Sequence, residues 1–326
     1  MVYPSVCSSW FLILGRLHRA SFPKIAVTAL ITLTESSTGS SATVSPVGAA
    51  LLSLTLSGNK VIEQVAAGRP ELYAGVVMAP WSGRIADGKW IDADGQERSL
   101  EINEPARNNA LHGLVYNKVF EVNKQTESSV ELVMTISSSD GYPHSLRLAL
   151  SYDLEEAEVY ATFAVKNLSD ATAPFSIGFH PYISTTWADA PLMIQSTAQS
   201  VLELNENMIA VGKTSVSEAS KDLRSGKSLI ELQLDDDFTD LHFVHGQATT
   251  RLATSSGSGC EIWQEDIFKH TVIYTPEEFP IESGSIKAIA IEPSSSAVNA
   301  FNTKQDLLEI VPGETRSGSW GIRLVN

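Results

Sequence analysis

Apolar and polar residues alternate with period two along most of the chain from about residue 41 onward. In the segment 146–154 every second side chain is Leu or Tyr, which is the pattern of a strand with one buried face. The polar break 155–158 follows, and the segment 159–165 is then rich in β-branched and aromatic residues. These two segments predict a β-hairpin, and residues 119–137 repeat the same plan.

Further short strands are predicted with breaks at intervals of roughly 8 to 12 residues, a spacing typical of sandwiches and barrels. Long stretches with helical periodicity are missing, and the helix candidate 299–308 is short, so an α/β sheet with crossover helices is disfavoured. We find no repeat of fixed period, which makes a propeller less attractive. The sequence therefore predicts an all-β protein built as a large antiparallel β-sandwich. The further predicted strands are 201–204, 241–244, 250–253, 261–263, 271–274, 286–291 and 318–324.

The chain divides into a leader and one large domain. Residues 1–40 are predicted to be a poorly ordered or peripheral leader, and the Ser- and Thr-rich stretch 34–43 is predicted to be a flexible lead-in. No comparable linker interrupts the remainder, so we expect residues 41–326 to form a single domain. The apolar run 10–14 is shorter than the roughly 20 residues of a membrane span, and it lacks the flanks of a signal peptide. A cytoplasmic location is therefore expected.

Composition narrows the range of partners. The 326 residues include 38 acidic and 23 basic side chains, which gives a formal net charge of −15. Such a charge opposes binding to nucleic acid and to anionic membranes, so neither is expected as a partner. The two cysteines, Cys7 and Cys260, lie far apart and show no metal-ligand spacing. We therefore predict neither a disulfide framework nor a metal site.

Candidate chemistry lies in polar clusters at predicted strand ends. Glu292 follows an apolar strand, where burial raises the pKa of a carboxyl group toward that of a general base working near neutral pH. His180 precedes a proline, which favours an extended backbone at a strand end. Each candidate taken alone also fits a structural role. The acidic run 235–240 is typical of a solvated loop, and only Asp240 in it lies next to a predicted strand. The other candidates are Arg84 and Trp81 in the segment 80–90, His112 and Asn109 in the segment 108–114, and Asp240.

Taken together and in order, these clusters resemble the aldose 1-epimerase (galactose mutarotase) family. The resemblance extends from about residue 41 to the C-terminus, and the segment 80–90 is most similar to the bacterial, broad-specificity branch. Five segments in register make it fairly specific. They are Asn-Ala-Leu-His-Gly at 109–113, Gly-Phe-His-Pro-Tyr at 178–182, Phe-Thr-Asp-Leu at 238–241, Ile-Glu-Pro at 291–293 with Asn-Ala-Phe-Asn at 299–302, and Val-Pro-Gly-Glu-Thr at 311–315.

The resemblance implies a twisted antiparallel β-sandwich with an open sugar cleft, and interconversion of the α and β anomers of an aldose without a cofactor. It implies that Glu292 is the general base at the C1 hydroxyl and that His180 is the general acid at the ring oxygen. The expected partner is a small aldose bound by a monomer or a homodimer. The implied sugar-binding residues are Arg84, His112, Asp240 and Asn109. Trp81 is a further candidate, because an aromatic ring can pack on a sugar face, although a tryptophan in a β-sandwich more often belongs to the core.

Other functions remain open from the sequence. A hexose-6-phosphate 1-epimerase would use the same acid and base but needs basic residues for the phosphate, and Arg69, Lys89 and Arg107 form no evident cluster. A glycoside hydrolase would need two carboxylates flanking the scissile bond. A metal enzyme, or a carbohydrate-binding sandwich without turnover, would use the same cleft. A structural role is expected for four further histidines, His144, His242, His245 and His270.

Overall fold

The computed structural model describes residues 29–325, and nearly all regular structure in this range is antiparallel strand. The helices in this range are the 3₁₀ turns Pro70–Leu72 and Leu229–Glu231 and the short α-helix α1 (Ala300–Thr303). None of them has the length and apolar character needed to cross a membrane. The strands are β1 (Ile31–Glu35), β2 (Ser40–Ser45), β3 (Ala50–Leu56), β4 (Asn59–Ile62), β5 (Val77–Met78), β6 (Arg84–Ala86), β7 (Lys89–Ile91), β8 (Glu97–Ser99), β9 (Asn109–Leu111), β10 (Glu121–Gln125), β11 (Ser129–Ile136), β12 (Leu146–Glu155), β13 (Glu158–Asn167), β14 (Ala173–Phe175), β15 (Gly178–Phe179), β16 (Tyr182–Ser184), β17 (Met193–Ser196), β18 (Ala198–Leu204), β19 (Ala210–Ser215), β20 (Lys227–Ser228), β21 (Asp235–Leu241), β22 (Gln247–Ala253), β23 (Gly259–Glu265), β24 (His270–Tyr274), β25 (Phe279–Ile281), β26 (Gly284–Ile286), β27 (Ala288–Ser294), β28 (Leu308–Ile310) and β29 (Thr315–Val325).

Two large sheets form the sandwich. One has the strand order β10-β11-β12-β13-β29-β23-β22-β17-β20, and the other has the order β19-β18-β21-β24-β27-β15-β5, with β16 also paired to β27. Side chains of both sheets belong to one buried cluster, in which the rings of Phe179 on β15 and Trp320 on β29 lie 5.1 Å apart. The strands β1 to β4 form a separate four-stranded sheet. The predicted all-β sandwich is therefore confirmed.

Alternation predicted the central hairpins correctly. In β12 every second side chain is buried, and β12 pairs with β13 from Leu146 with Asn167 to Glu155 with Glu158. The predicted break lies at the turn, where Glu156 has φ of +49°. The second predicted hairpin is β10 paired with β11. Period-two patterns predict β11, β12 and β13 well because one face of each strand packs on the core, whereas all five residues of the edge strand β10 are exposed.

Several local predictions are wrong. The stretch 34–43, expected to be flexible, contains the end of β1 and the start of β2, which pair from Ile31 with Val44 to Glu35 with Ser40. Alternating burial of Ile31, Leu33, Ala42 and Val44 explains this pairing, since small Ser and Thr residues occupy the opposite positions. The rest of the expected leader, residues 1–28, lies outside the described residues. The predicted strand 241–244 shares only its first residue with β21, and the predicted helix 299–308 is reduced to the four residues of α1.

The acidic run was predicted to be a solvated loop, and it is instead the strand β21. Asp236 and Asp237 are buried, because each carboxylate has a charged partner from another segment. Lys221 pairs with Asp236, and His270 pairs with Asp237. Buried charges are tolerated when they are paired, and these partners are distant in sequence.

Candidate active site

Glu292 lies on the central strand β27 at the wall of a cleft. All seven residues of β27 are buried, and the strand is flanked by β24 on one side and by β15 and β16 on the other. The cleft has a volume of about 320 Å³, near the lower end of small-molecule sites at about 300 to 1,000 Å³. Its lining is rich in titratable groups. These include Arg84, Glu104, Arg107, His112, His180, Asp235, Asp236, Asp237 and Glu292.

Strand register places His180 opposite Glu292. Gly178 pairs with Ser294 and Tyr182 pairs with Ala290, both on β27, so the residue midway between them faces Glu292. His180 occupies that position in the gap between β15 and β16. Proline at the next position has no N–H to donate, which interrupts regular pairing and gives His180 a strand-end geometry. This matches the expectation drawn from the sequence around Pro181.

The two side chains form a close, buried pair. His180 Nε2 lies 3.4 Å from Glu292 Oε1, and both side chains are less than one-tenth exposed. Burial lowers the pKa of His180 to about 4. Burial, together with the nearby Asp235 carboxylate, raises the pKa of Glu292 well above its ordinary range. Both shifts oppose the charged forms, so the free cleft favours one shared proton on this pair.

His112 forms the neighbouring edge of the cleft. It has φ of +61°, its N–H donates to the Gly83 carbonyl at 2.8 Å, and its ring lies 5.5 Å from the ring of His180. Gly113 also has a positive φ, and a Cβ there would come within 2.1 Å of the Ala79 carbonyl oxygen, so this turn requires glycine. The Nδ1 atoms of both histidines are buried without a hydrogen-bond partner among residues 29–325.

Arg84 lines the cleft as expected, but its guanidinium is engaged. Its Nε and Nη2 atoms donate to the two oxygens of Glu104 at 2.8 and 3.0 Å. Arg107 donates to the same carboxylate at 3.0 Å. Asn109 does not line the cleft; its amide donates to Glu104 and to the Asn207 carbonyl, both at 2.9 Å. Asn109 therefore supports Glu104 from behind.

Two other predicted sugar-binding residues lie away from the cleft. Trp81 is buried and packs edge-on against Phe301, with ring centroids 5.9 Å apart, so it belongs to the core. Asp240 is nearly half exposed and is paired with Lys213 at 2.9 Å. Asp240 lies at the far end of β21 from the cleft, which is lined instead by Asp235 and its two neighbours.

Several cleft residues were not singled out from the sequence. Asp235, the exposed first residue of β21, lines the cleft, and partial desolvation by the cleft wall raises the pKa of its carboxyl group. Glu104 fixes two arginines, and Tyr73 lies with its ring 4.6 Å from the ring of His112. Tyr182, the last residue of the Gly-Phe-His-Pro-Tyr segment, stacks on His180 with ring centroids 5.0 Å apart. The one nearby signal in the sequence was the Phe-Thr-Asp-Leu segment at 238–241, which belongs to the family resemblance and begins three residues after Asp235.

The cleft residues provide proton donors and acceptors. Among residues 29–325 there is no group of three or more His, Cys, Asp and Glu side chains placed to hold a metal ion. What the arrangement offers is a buried carboxyl group and an imidazole side by side, with hydroxyl-binding groups around them. Such a pair can remove a proton from one oxygen of a ligand and deliver a proton to another.

The family model for aldose 1-epimerase matches residues 29–323 of the chain. The chain belongs to the aldose 1-epimerase family. A curated relative, the uncharacterized protein YihR of Escherichia coli strain K12, is 27% identical over 282 residues, which is 84% of this chain and 86% of that protein. The similarity to this relative therefore extends over most of both chains.

Solved structures of the same type share the fold. A galactose mutarotase-like protein from Clostridium acetobutylicum superposes with a TM-score of 0.75 at 20% identity, covering 89% of this chain and 93% of that one. The GalM/aldose epimerase homologue from C. elegans gives a TM-score of 0.77 at 19% identity, covering 91% and 99%. Galactose 1-epimerase from Lactobacillus acidophilus NCFM gives 0.73 at 20% identity, covering 91% and 94%. The sandwich is thus of the galactose mutarotase-like type.

Proposed function

We propose that this member of the family interconverts the α and β anomers of a free hexose, with Glu292 as general base and His180 as general acid. The observation that carries the proposal is the buried pair itself, in which His180 Nε2 and Glu292 Oε1 lie 3.4 Å apart at the wall of the cleft. An epimerase of this kind needs two proton-transfer groups at neighbouring oxygens of one hemiacetal.

Ring opening and closing balance in protons on this pair. Glu292 as carboxylate removes the proton of the C1 hydroxyl, the bond between C1 and the ring oxygen breaks, and imidazolium His180 protonates the ring oxygen. The products are the open-chain aldehyde, protonated Glu292 and neutral His180. After rotation about the C1–C2 bond the ring oxygen attacks the other face of C1, and both protons return. Each well-placed proton-transfer group contributes about 10²- to 10⁴-fold in rate.

The bound sugar prepares the reactive arrangement of the pair. In the free cleft, burial favours neutral His180 and protonated Glu292. A hydroxyl group that donates to Glu292 stabilises its carboxylate, and a ring oxygen that accepts from His180 stabilises its imidazolium. The proton therefore moves within the pair when sugar occupies the cleft, with no net uptake from solvent.

Charge around the cleft supports an unphosphorylated sugar over a hexose 6-phosphate. Arg84 and Arg107 are both held by Glu104, and Lys221 pairs with Asp236. These carboxylates occupy the donors that a phosphate would need. The basic residues noted from the sequence have partners as well, since Arg69 pairs with Glu71 and Lys89 pairs with Glu97.

The test is polarimetry on freshly dissolved α-glucose, α-galactose and α-glucose 6-phosphate, with and without the protein. We expect acceleration of mutarotation for at least one free hexose and a much smaller effect on the phosphate ester. Faster turnover of the phosphate ester would favour the hexose-6-phosphate epimerase. Sugar binding without acceleration would favour a binding sandwich that lacks turnover.

A further inference from the structure

His270 is a fully buried histidine behind the cleft with a carboxylate at each ring nitrogen. It is the first residue of β24, and its side chain has no exposed surface. Its Nδ1 lies 2.7 Å from an oxygen of Asp237 on β21, and its Nε2 lies 3.0 Å from an oxygen of Asp306 in the loop after α1. The sequence had suggested only a structural role for His270.

Two acceptors at one imidazole require two protons. A neutral imidazole carries one N–H, so one of these contacts would bring a nitrogen lone pair against a carboxylate oxygen. The imidazolium donates to both. Burial alone opposes the charged form, but Asp237 and Asp306 outweigh it and raise the pKa of His270 to about 9.

The pair of His270 and Asp237 is connected to the reacting groups. Asp237 lines the cleft, and its second oxygen accepts the N–H of Val298, another cleft residue, at 3.3 Å. The negative charge of Asp237 also contributes to the raised pKa of Glu292. Strand pairing couples the same elements, because β24 lies between β21 and β27 and Val272 pairs with Glu292.

We propose that His270 is a positioning residue that stays an imidazolium during turnover and neutralises Asp237 beside the catalytic pair. This inference rests on the proposed function. Its positive charge offsets the negative charge of Asp237 that Glu292 would otherwise experience in a low-dielectric wall. It also holds the Asp237 carboxylate in the orientation that accepts the Val298 N–H, and so fixes the loop that follows β27.

The charged groups around His270 and those around Glu292 form two sets that share one carboxylate. The groups acting on His270 or on its partner Asp306 are Asp237, Asp306, Asp240, Lys269 and Lys213. The groups around Glu292 are His180, Asp235, Asp237, Arg84 and Tyr182. Asp237 is the carboxylate common to both sets. Removing the charge of His270 therefore leaves one added uncompensated negative charge near Glu292.

The test is the pH profile of kcat/KM in His270→Gln, in Asp237→Asn and in the double variant. Losing the imidazolium favours proton retention by the catalytic pair, so we expect the profile of His270→Gln to move to higher pH by about half to one unit. Adding Asp237→Asn removes the uncompensated charge and should move the profile back. His144→Gln is the matched control, because His144 is also a buried histidine but lies outside the cleft lining. Its profile should stay at the wild-type position.

A role in packing alone predicts a different result. Activity would fall in His270→Gln with the profile unmoved, and the double variant would show no return; either result overturns the proposal. Wild-type protein labelled with ¹⁵N-histidine gives a second test that needs neither folding of a variant nor turnover. At pH 8 one ring should show two protonated nitrogens by NMR. If no ring among the seven histidines is doubly protonated at that pH, the imidazolium assignment is wrong even when the epimerase activity holds.

Discussion

Replacement of Glu292 by glutamine should abolish proton transfer while leaving the folded structure intact. Glutamine has nearly the shape of glutamate, but its amide does not accept a proton near neutral pH. Because Glu292 is the proposed base, the variant should lose about 10²- to 10⁴-fold in kcat. At 1.36 kcal/mol per tenfold change, this corresponds to about 2.7 to 5.4 kcal/mol of transition-state stabilisation.

The same substitution should preserve or raise the stability of the folded protein, although it lowers kcat. The pKa of Glu292 is raised by burial and by Asp235, so the folded protein binds its proton more tightly than the unfolded chain does. The unfolded chain binds fewer protons above the ordinary value of 4.5, and wild-type stability therefore falls as pH rises from there toward the raised pKa. Glutamine removes this dependence. At pH 7 to 8 we expect Glu292→Gln to melt at the same temperature as wild type or higher.

The assay is polarimetry with the spontaneous rate subtracted, combined with thermal melts at pH 5 and pH 8. Glu309→Gln is a matched control, because Glu309 is exposed on β28 and is not part of the cleft lining. It should keep both rate and melting temperature. A Glu292→Gln variant that binds sugar normally and keeps near-wild-type kcat would refute the assignment of the base. A large loss of melting temperature at pH 8 would refute the argument from burial.

Three further outcomes follow from the site. His180→Asn should lower kcat about 10²- to 10⁴-fold while sugar binding by calorimetry persists; a full rate with normal binding would remove His180 from the acid role. Asp240→Asn should leave KM within about twofold, because Asp240 pairs with Lys213 outside the cleft, whereas Asp235→Asn should raise KM; the reverse order in steady-state polarimetry would contradict the placement of Asp240. EDTA should leave the rate unchanged, and a loss that a divalent cation restores would favour a metal enzyme.

Local pattern was sufficient for the long strands, and it marked Glu292 and His180 as candidates whose roles came from the family resemblance. The alternation from Leu146 to Leu154 predicts β12, because burial on one face of a sheet follows the backbone period of two. Glu292 and His180 were found because a carboxylate at the end of an apolar strand and a histidine before proline are local signals. Strand register then places the two side chains side by side. From the sequence, this proximity was suggested only by the family resemblance.

Contacts between distant segments decided the rest. The carboxylates of Asp236 and Asp237 are buried because Lys221 and His270 come to them from elsewhere in the chain, and no local rule distinguishes this run from a solvated loop. Asp240 looked better placed than Asp235 from the sequence, but it pairs with Lys213 outside the cleft.

The sequence by itself determined the fold class, the family and the acid and base candidates, because these depend on short-range periodicity and on a few chemically distinctive residues. Only the tertiary structure decided which polar groups share the cleft. Trp81 packs into the core, Arg84 is held by Glu104, and a buried histidine stands behind Asp237. The physical reason is that the charge state and accessibility of a side chain depend on its neighbours in space, and these come from strands far apart in the chain.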